Sequence, residues 1–397
     1  MNLSAPRLLL ALALMVTLGW AAIGLVRVDA GWGAPAGTDR LLQAMDADPA
    51  LAPGNAEQAR TMLRTRPIDG RAYRVLAQVA DAQGDHKRAD ALYAIAVRRA
   101  PRDRQTRAAL IDRAFARGDI AGALDQVDAL LRVAPSLRDL VLRALLPSLG
   151  DARLQAALID RLATNPPWRE ALRPVLLDPK TDPQLAEGFL ARLTRRTPLT
   201  APETDARIHL LQGLGRAPEA RVLWMASLPD AAGQRAALLF DGGFEYPDIA
   251  GGYGWRQTPP PGVAIYHDPI SPAEGQYALA LDFEGRAFTS PGLEQWLALA
   301  PARYRLSAAA DHRTDTRRPF AWRISCQGGG KALVSLPLPE PSSPAWQRVE
   351  ADFEVPAGCP GQILRLDFLG RSLADRQLTG TLRLDAVRIE PARPGAQ

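Results

Sequence analysis

The chain has 397 residues, an apolar fraction of 47% and a net charge of +5, a size and composition that suit two to three domains with filled cores. Its pI is about 9.5, yet lysine occurs only at 87, 180 and 331, so nearly all the positive charge is arginine. Arginine alternates with Asp and Glu instead of forming blocks, which describes solvated helix faces and excludes a basic stripe for nucleic acid.

The first element is a targeting segment. Arg7 precedes the run Leu8–Val26, which holds no charge over 19 residues. A cleavable signal peptide needs an apolar stretch of roughly 7–15 residues and a spanning helix about 20. Residues 1–30 therefore read as a signal anchor, with cleavage at Val28-Asp29-Ala30 as the alternative. The positive amino terminus would stay in the cytoplasm, so either reading puts the bulk of the chain outside it. In a bacterial cell, which the GC-rich style of the composition suits, that means a single inner-membrane pass through residues 8–26 and a periplasmic body, or secretion after cleavage. Residues 31–37 are a Gly/Pro/Ala linker.

Residues 38–232 carry helical patterns. The stretch Asp69–Arg102 holds two amphipathic runs around Gln83-Gly84-Asp85 and ends near Pro101. Tyr73, Leu76, Ala77 and Ala80 share one face of the first run, and Ala89, Tyr93 and Ala96 share one face of the second. Pro67, Pro101 and Pro135 are 34 residues apart. A shift of 34 places Leu110, Ile111, Ala114, Ala123, Val127 and Leu130 on the same slots, and Gly118-Asp119 on Gly84-Asp85. This pattern resembles the tetratricopeptide repeat. That resemblance implies an α-solenoid with a peptide- or protein-binding surface and no active site of its own. Thr38–Arg66 reads as a degenerate end unit, residues 165–183 as an irregular break rich in proline, and Glu203–Pro229 as a returning unit.

Beyond Gly233 the helical period stops. Nine short strands are expected at 263–267, 276–282, 295–299, 304–309, 320–326, 332–336, 347–355, 363–368 and 382–389, an antiparallel sandwich over residues 236–392. In the last of them Leu382, Leu384 and Ala386 are expected to oppose Arg383, Asp385 and Val387. Four landmarks stand in order: Phe240–Glu245 followed by Trp255, Gly275–Leu279, Tyr304–Ser307 and Leu384–Ile389. Together they resemble carbohydrate-binding modules of the galactose-binding-like jelly-roll type. The fold class is thus multidomain: a membrane helix, a tetratricopeptide-like α-solenoid and an all-β jelly roll.

The jelly-roll resemblance implies a structural calcium held by an acid of the opening turn and one of the last strand, here Glu245 and Asp385. No other cofactor is expected. Sugar rings stack on exposed aromatics, while amides and guanidiniums satisfy their hydroxyls. Tyr253, Trp255, Tyr266, Trp296 and Trp322, with Arg323 and Gln327, are the candidate contacts, and core packing is the competing role for the tryptophans. Cys326 and Cys359 are the only cysteines. In an oxidising compartment a pair within one sandwich forms a disulfide, with two buried free thiols as the alternative.

Catalytic residues are not expected. The four histidines, at 86, 209, 267 and 312, join no GxSxG elbow and no HExxH. The expected function is a non-catalytic, periplasm-facing scaffold in exopolysaccharide or surface-glycan production and export. Its repeats would bind a protein partner and its sandwich glycan. A pure protein scaffold with a ligand-free sandwich is the main rival, and a glycoside hydrolase the lesser one.

Overall fold

A computed structural model describes residues 55–229, 237–249, 251–316, 318–341 and 345–392. The targeting segment, the linker and most of the first repeat lie outside these residues. Among the described residues no helix is long and apolar enough to cross a membrane. The chain divides into two compact units between Glu203 and Thr204.

In the first unit, α1 (Ala56–Thr65) precedes two helix hairpins, α2–α3 (Gly70–Ala82 and His86–Arg99) and α4–α5 (Arg104–Ala116 and Ile120–Val133). The 34-residue period is written into their backbone. Asp69 and Asp103 cap α2 and α4, accepting from Arg71 N and Thr106 N, while Asp85 and Asp119 cap α3 and α5, accepting from Arg88 N and Gly122 N. Gly84 and Gly118 take φ of 79° and 73°. Beyond them the Asp85 and Asp119 amides donate back to the Ala80 and Ala114 carbonyls, each at 2.9 Å, in a Schellman closure that a side chain at the glycine would strain. Ala77, Ala80, Ala89, Tyr93 and Ala96 are buried, as are Ile111, Ala114, Ala123, Val127 and Leu130 on the matching slots. At Gly70 the helices touch so closely that a Cβ would lie 2.6 Å from the Ala100 Cβ.

The same register places a polar atom badly. The Asp112 Oδ1 and, 34 positions earlier, the Gln78 Oε1 are buried without a hydrogen-bond partner. Burial pushes the Asp112 carboxyl from 3.8 up to about 7. The folded state therefore prefers the protonated acid. Its contribution to stability is complete below about pH 4 and is lost as the pH rises towards 7. Asp112→Asn should raise the thermal midpoint of this unit at pH 8 and flatten its fall between pH 5 and 8. An unchanged pH profile would show that Asp112 finds a partner or water in solution.

After α5 the repeat dissolves. The elements α6 (Arg138–Leu145), α7 (Ala152–Ala163), α8 (Leu172–Leu176) and α9 (Pro183–Arg196) follow at irregular spacing. The stretch 165–183, expected to be a simple break, instead carries two buried anchors. Trp168 donates through Nε1 to the Asp128 carboxylate at 2.8 Å, and Arg169 forms a bidentate pair with Glu203 at 2.8 and 2.7 Å. The guanidinium also donates to the Leu162 and Pro198 carbonyls, and Thr200 N donates to Glu203 Oε2, so both charges are hydrogen-bonded throughout.

The second unit opens with the remainder of α10 (Ala201–Gly213), turns at Gly215 and continues in α11 (Ala217–Met225). This hairpin closes as the repeats do, with Gly215 at φ 73° and Arg216 N donating to the Leu211 carbonyl at 2.8 Å. From sequence it reads as the last of the repeats, but it packs on the sandwich. Ile208, Leu211, Ala220 and Trp224 form one apolar cluster with Phe240 and Tyr253.

The sandwich has ten described strands: β1 (Arg256–Gln257), β2 (Val263–Asp268), β3 (Ala278–Glu284), β4 (Leu293–Leu297), β5 (Ala302–Thr314), β6 (Phe320–Cys326), β7 (Val334–Pro337), β8 (Gln347–Val355), β9 (Gln362–Phe368) and β10 (Thr379–Pro391). They make two antiparallel five-stranded sheets, β1-β4-β9-β6-β7 and β2-β3-β10-β5-β8. All nine expected strands are present, and only the two-residue β1 is additional. Alternating residues of both inner faces, among them Leu279, Leu281, Phe320, Trp322, Leu364, Leu366, Leu382 and Leu384, fill one core. The expected alternation fails at one place. Between Asp385 and Arg388 the register shifts and Ala386 takes φ 50°, so Val387 and Ile389 join Leu384 in the core. A bulge inserts one residue and reverses the faces beyond it. It lets Val387 N donate to the Gly242 carbonyl at 2.8 Å, which docks the opening turn.

Candidate functional site

The first sheet's outer face carries registered rows. Arg256, Glu294, Arg365, Arg323 and Ser335 stand side by side across all five strands. In the next row Trp296 neighbours Ile363, and Ile363 neighbours Ser325. The charges on this face are matched. Asp367 accepts from Arg365 Nε at 2.6 Å and from Arg323 Nη1 at 3.2 Å, and Arg256 stands 3.9 Å from Glu294. The Asp367 carboxylate holds the Arg365 guanidinium above its ordinary pKa, whereas burial lowers that of Arg256. Arg256 lies over the Trp296 ring, 3.2 Å from its centroid, and the His209 ring is 6.0 Å away.

Beside Trp296 the sheet meets the α10–α11 hairpin at a cleft of about 660 Å³. One wall is α10 with the turn after it, giving His209, Gln212, Gly213 and Gly215. The other is Trp296 and Ile363 with the turns after β6 and before β9, giving Gln327, Gly328, Gly329, Gly358 and Gly361. The disulfide Cys326–Cys359, with Cα atoms 5.5 Å apart, joins those two turns at the rim. Closing 33 positions, it should contribute about 3–4 kcal/mol. Replacing both cysteines with serine should lower the stability of this unit by that amount, read as the shift in its denaturant midpoint. An equal midpoint for the variant and the oxidised protein would contradict this.

The seven sequence-derived candidates separate. Trp296 and Gln327 line the cleft, and Arg323 faces out one row away. Tyr266 is 43% exposed but belongs to the second sheet, where its hydroxyl donates to Asp282 at 2.9 Å. The other three are core. Trp322 is fully buried against Trp255, ring centroids 5.6 Å apart, and Trp255 in turn lies on Phe244. Trp255 Nε1 donates to the Asp241 carbonyl at 2.8 Å. The Tyr253 hydroxyl donates to the Ala217 carbonyl at 2.6 Å, and burial pushes its pKa up to about 12. Alternation within β6 carries the signal for Trp322, since Phe320, Trp322 and Ile324 share the inward face opposite Arg323.

The expected calcium ligands are close together and are bonded to the backbone. A Cβ at Gly243 would lie 3.6 Å from Glu245 Cγ and 3.9 Å from Asp385 Oδ1. Glu245 Oε1 accepts from Gln276 N at 2.8 Å, and the two Asp385 oxygens accept from Glu274 N and Ala386 N. Calcium takes six to eight oxygens, of which these two side chains could supply only part. Among the described residues no group of three or more His, Cys, Asp or Glu is placed to hold a metal. Beside them Asp241 is pushed up to about 6, by burial first and then by Glu245 and Asp385. As placed, these residues fasten the opening turn to the following segment and to the last strand.

No family model matches the sequence, and no curated protein matches it. Solved structures similar to the sandwich include carbohydrate-binding modules. One is a family 61 module in complex with beta-1,4-galactotriose, 16% identical, spanning 40% of this chain and 100% of its own, with a TM-score of 0.30. Another is a family 16 module, 18% identical, spanning 39% and 99%, with a TM-score of 0.27. A third is the CBM22-1 xylan-binding domain of Xyn10C from Paenibacillus barcinonensis, 13% identical, spanning 35% and 88%, with a TM-score of 0.26.

Sequence reasoning missed His209, Gln212, Gly213 and Gly215, because the hairpin that carries them reads as repeat. The run Gly328-Gly329-Gly330 directly after Cys326 and Gln327 is the signal that could have drawn attention to the rim.

Proposed function

We propose that the chain is a non-catalytic scaffold that binds glycan in the cleft between α10 and the first sheet. The observation that carries this reading is the lining itself: an indole, two side-chain amides, an imidazole and several glycines on a disulfide-braced rim. Apolar ring surface beside amide donors and acceptors is the chemistry a sugar needs. Around this core stand the less direct parts of the proposal. The 34-residue hairpins act as tetratricopeptide repeats and hold a protein or peptide partner. Residues 8–26 anchor the chain in the inner membrane, the body lies in the oxidising periplasm where the disulfide forms, and the setting is exopolysaccharide or surface-glycan production and export.

Among the described residues the cleft is lined by no Asp or Glu. Glycoside hydrolysis would lack its acid and base there, which favours binding over cleavage. One observation favours the rival reading, a sandwich without a glycan: Arg256 covers one face of Trp296. The two readings differ in an affinity experiment on the full chain. Retention by immobilised polysaccharide supports glycan binding, and a co-purifying protein without any such retention supports the rival.

A further inference from the structure

The cleft's lining says which kind of glycan it takes. Its fourteen lining residues include no Asp, Glu, Lys or Arg. A carboxylated or sulfated ligand would have to shed water there without meeting a counter-charge, which disfavours it. The arginines nearby do not supply one. Arg256, Arg323 and Arg365 stand on the outer face of the sheet, each beside a carboxylate of Glu294 or Asp367.

What the cleft does offer is neutral hydrogen bonding. The Gln212 side chain is nine-tenths buried; its amide nitrogen is directed to the Tyr253 hydroxyl oxygen, and its Oε1 has no hydrogen-bond partner. The Tyr253 hydroxyl cannot donate to that oxygen, because its proton goes to the Ala217 carbonyl. A buried amide oxygen left so carries a desolvation penalty, which a hydroxyl-bearing ligand can relieve as the side chain turns towards it. Gln327 stands across the cleft. A Cβ at Gly213, Gly328, Gly329 or Gly358 would meet nothing within 4 Å, so a flat ring can approach the backbone there.

We infer that the cleft between α10 and the first sheet binds an uncharged, hydroxyl-rich polysaccharide, held by Gln212, Gln327, Trp296 and the glycine backbone. This rests on the glycan-binding reading above and narrows it. Gly213 supplies the test. It ends α10 without a left-handed φ, and an added Cβ there meets no atom within 4 Å, so Gly213→Leu puts its side chain into the cleft from a position that accepts one.

The experiment is affinity electrophoresis of the full chain through native gels containing dextran, galactomannan or hydroxyethyl cellulose, and through gels containing alginate or polygalacturonate. The expected result is retardation by an uncharged polymer, with affinity falling by about tenfold or more in Gly213→Leu at an unchanged thermal midpoint. Retardation confined to alginate or polygalacturonate would overturn the inference and leave glycan binding standing. An uncharged polymer that retards Gly213→Leu as well as the unaltered chain would move the site elsewhere and also overturn it. No retardation in any gel would overturn both.

Discussion

Replacing Glu203 with Ala is expected to destabilise the helical unit by about 3–5 kcal/mol. The Arg169 and Glu203 side chains are 5% and 1% exposed, so the substitution leaves a guanidinium in the interior without its counter-ion. The Leu162 and Pro198 carbonyls still accept from that guanidinium, but they carry no charge to match it. The cost comes from the orphaned charge more than from the lost attraction. The double variant Arg169→Met with Glu203→Leu should therefore recover most of the stability, since apolar partners of similar volume avoid desolvation altogether. Equilibrium unfolding in urea checks both. If the double variant is as unstable as the two single losses added together, the pair contributes by specific bonding and this explanation is wrong.

The second large effect is expected at Trp322. Trp322→Ala should cost the sandwich about 3–5 kcal/mol, because it empties the centre of a core in which Phe244, Trp255 and Trp322 stack in series. Trp322→Phe should cost clearly less. It keeps an aromatic against Trp255, and the N–H it deletes is buried without a partner. Trp296→Ala should behave in the opposite way. That indole is half-buried on the outer face, so its loss should change stability little and ligand retention greatly. The pair thus separates a packing tryptophan from a binding one. Equal destabilisation by Trp296→Ala and Trp322→Ala would remove that distinction.

Much of the architecture is legible in the sequence, for local reasons. A 34-residue period with Pro, Gly-Asp and small residues on fixed slots forces helix hairpins, and the structure repeats caps, turns and buried positions at that spacing. Alternation with turn residues between runs gives the strands almost one for one. Two things were not legible. The bulge after Asp385 depends on one residue taking a left-handed conformation, which alternation alone cannot show. The cleft is built from residues 209–215, 296, 326–329 and 358–363, brought together by packing across more than a hundred positions. Its helical wall has the period of a repeat, so only its apolar partners, Phe240 and Tyr253, reveal that it belongs with the sandwich. Tyr253, Trp255 and Trp322 proved to be core for a related reason. A tryptophan near a strand looks the same in sequence whether it faces in or out, unless its neighbours alternate clearly, as Phe320 and Ile324 do around Trp322.

The formed disulfide extends the account to compartment. It braces the two turns at the cleft's rim and belongs in an oxidising environment, which agrees with the expectation that the apolar amino-terminal run is a targeting segment.

The central claim is that ligand enters beside Trp296 on the first sheet. The most direct measurement is titration of a retained polysaccharide into the full chain and into two variants of matched stability, Trp296→Ala and Tyr266→Ala. Tyr266 is the exposed aromatic of the opposite sheet. The account predicts that Trp296→Ala loses about tenfold or more in affinity while Tyr266→Ala binds like the unaltered chain. Undiminished binding by Trp296→Ala, with loss in Tyr266→Ala, would place the ligand on the other face and contradict it.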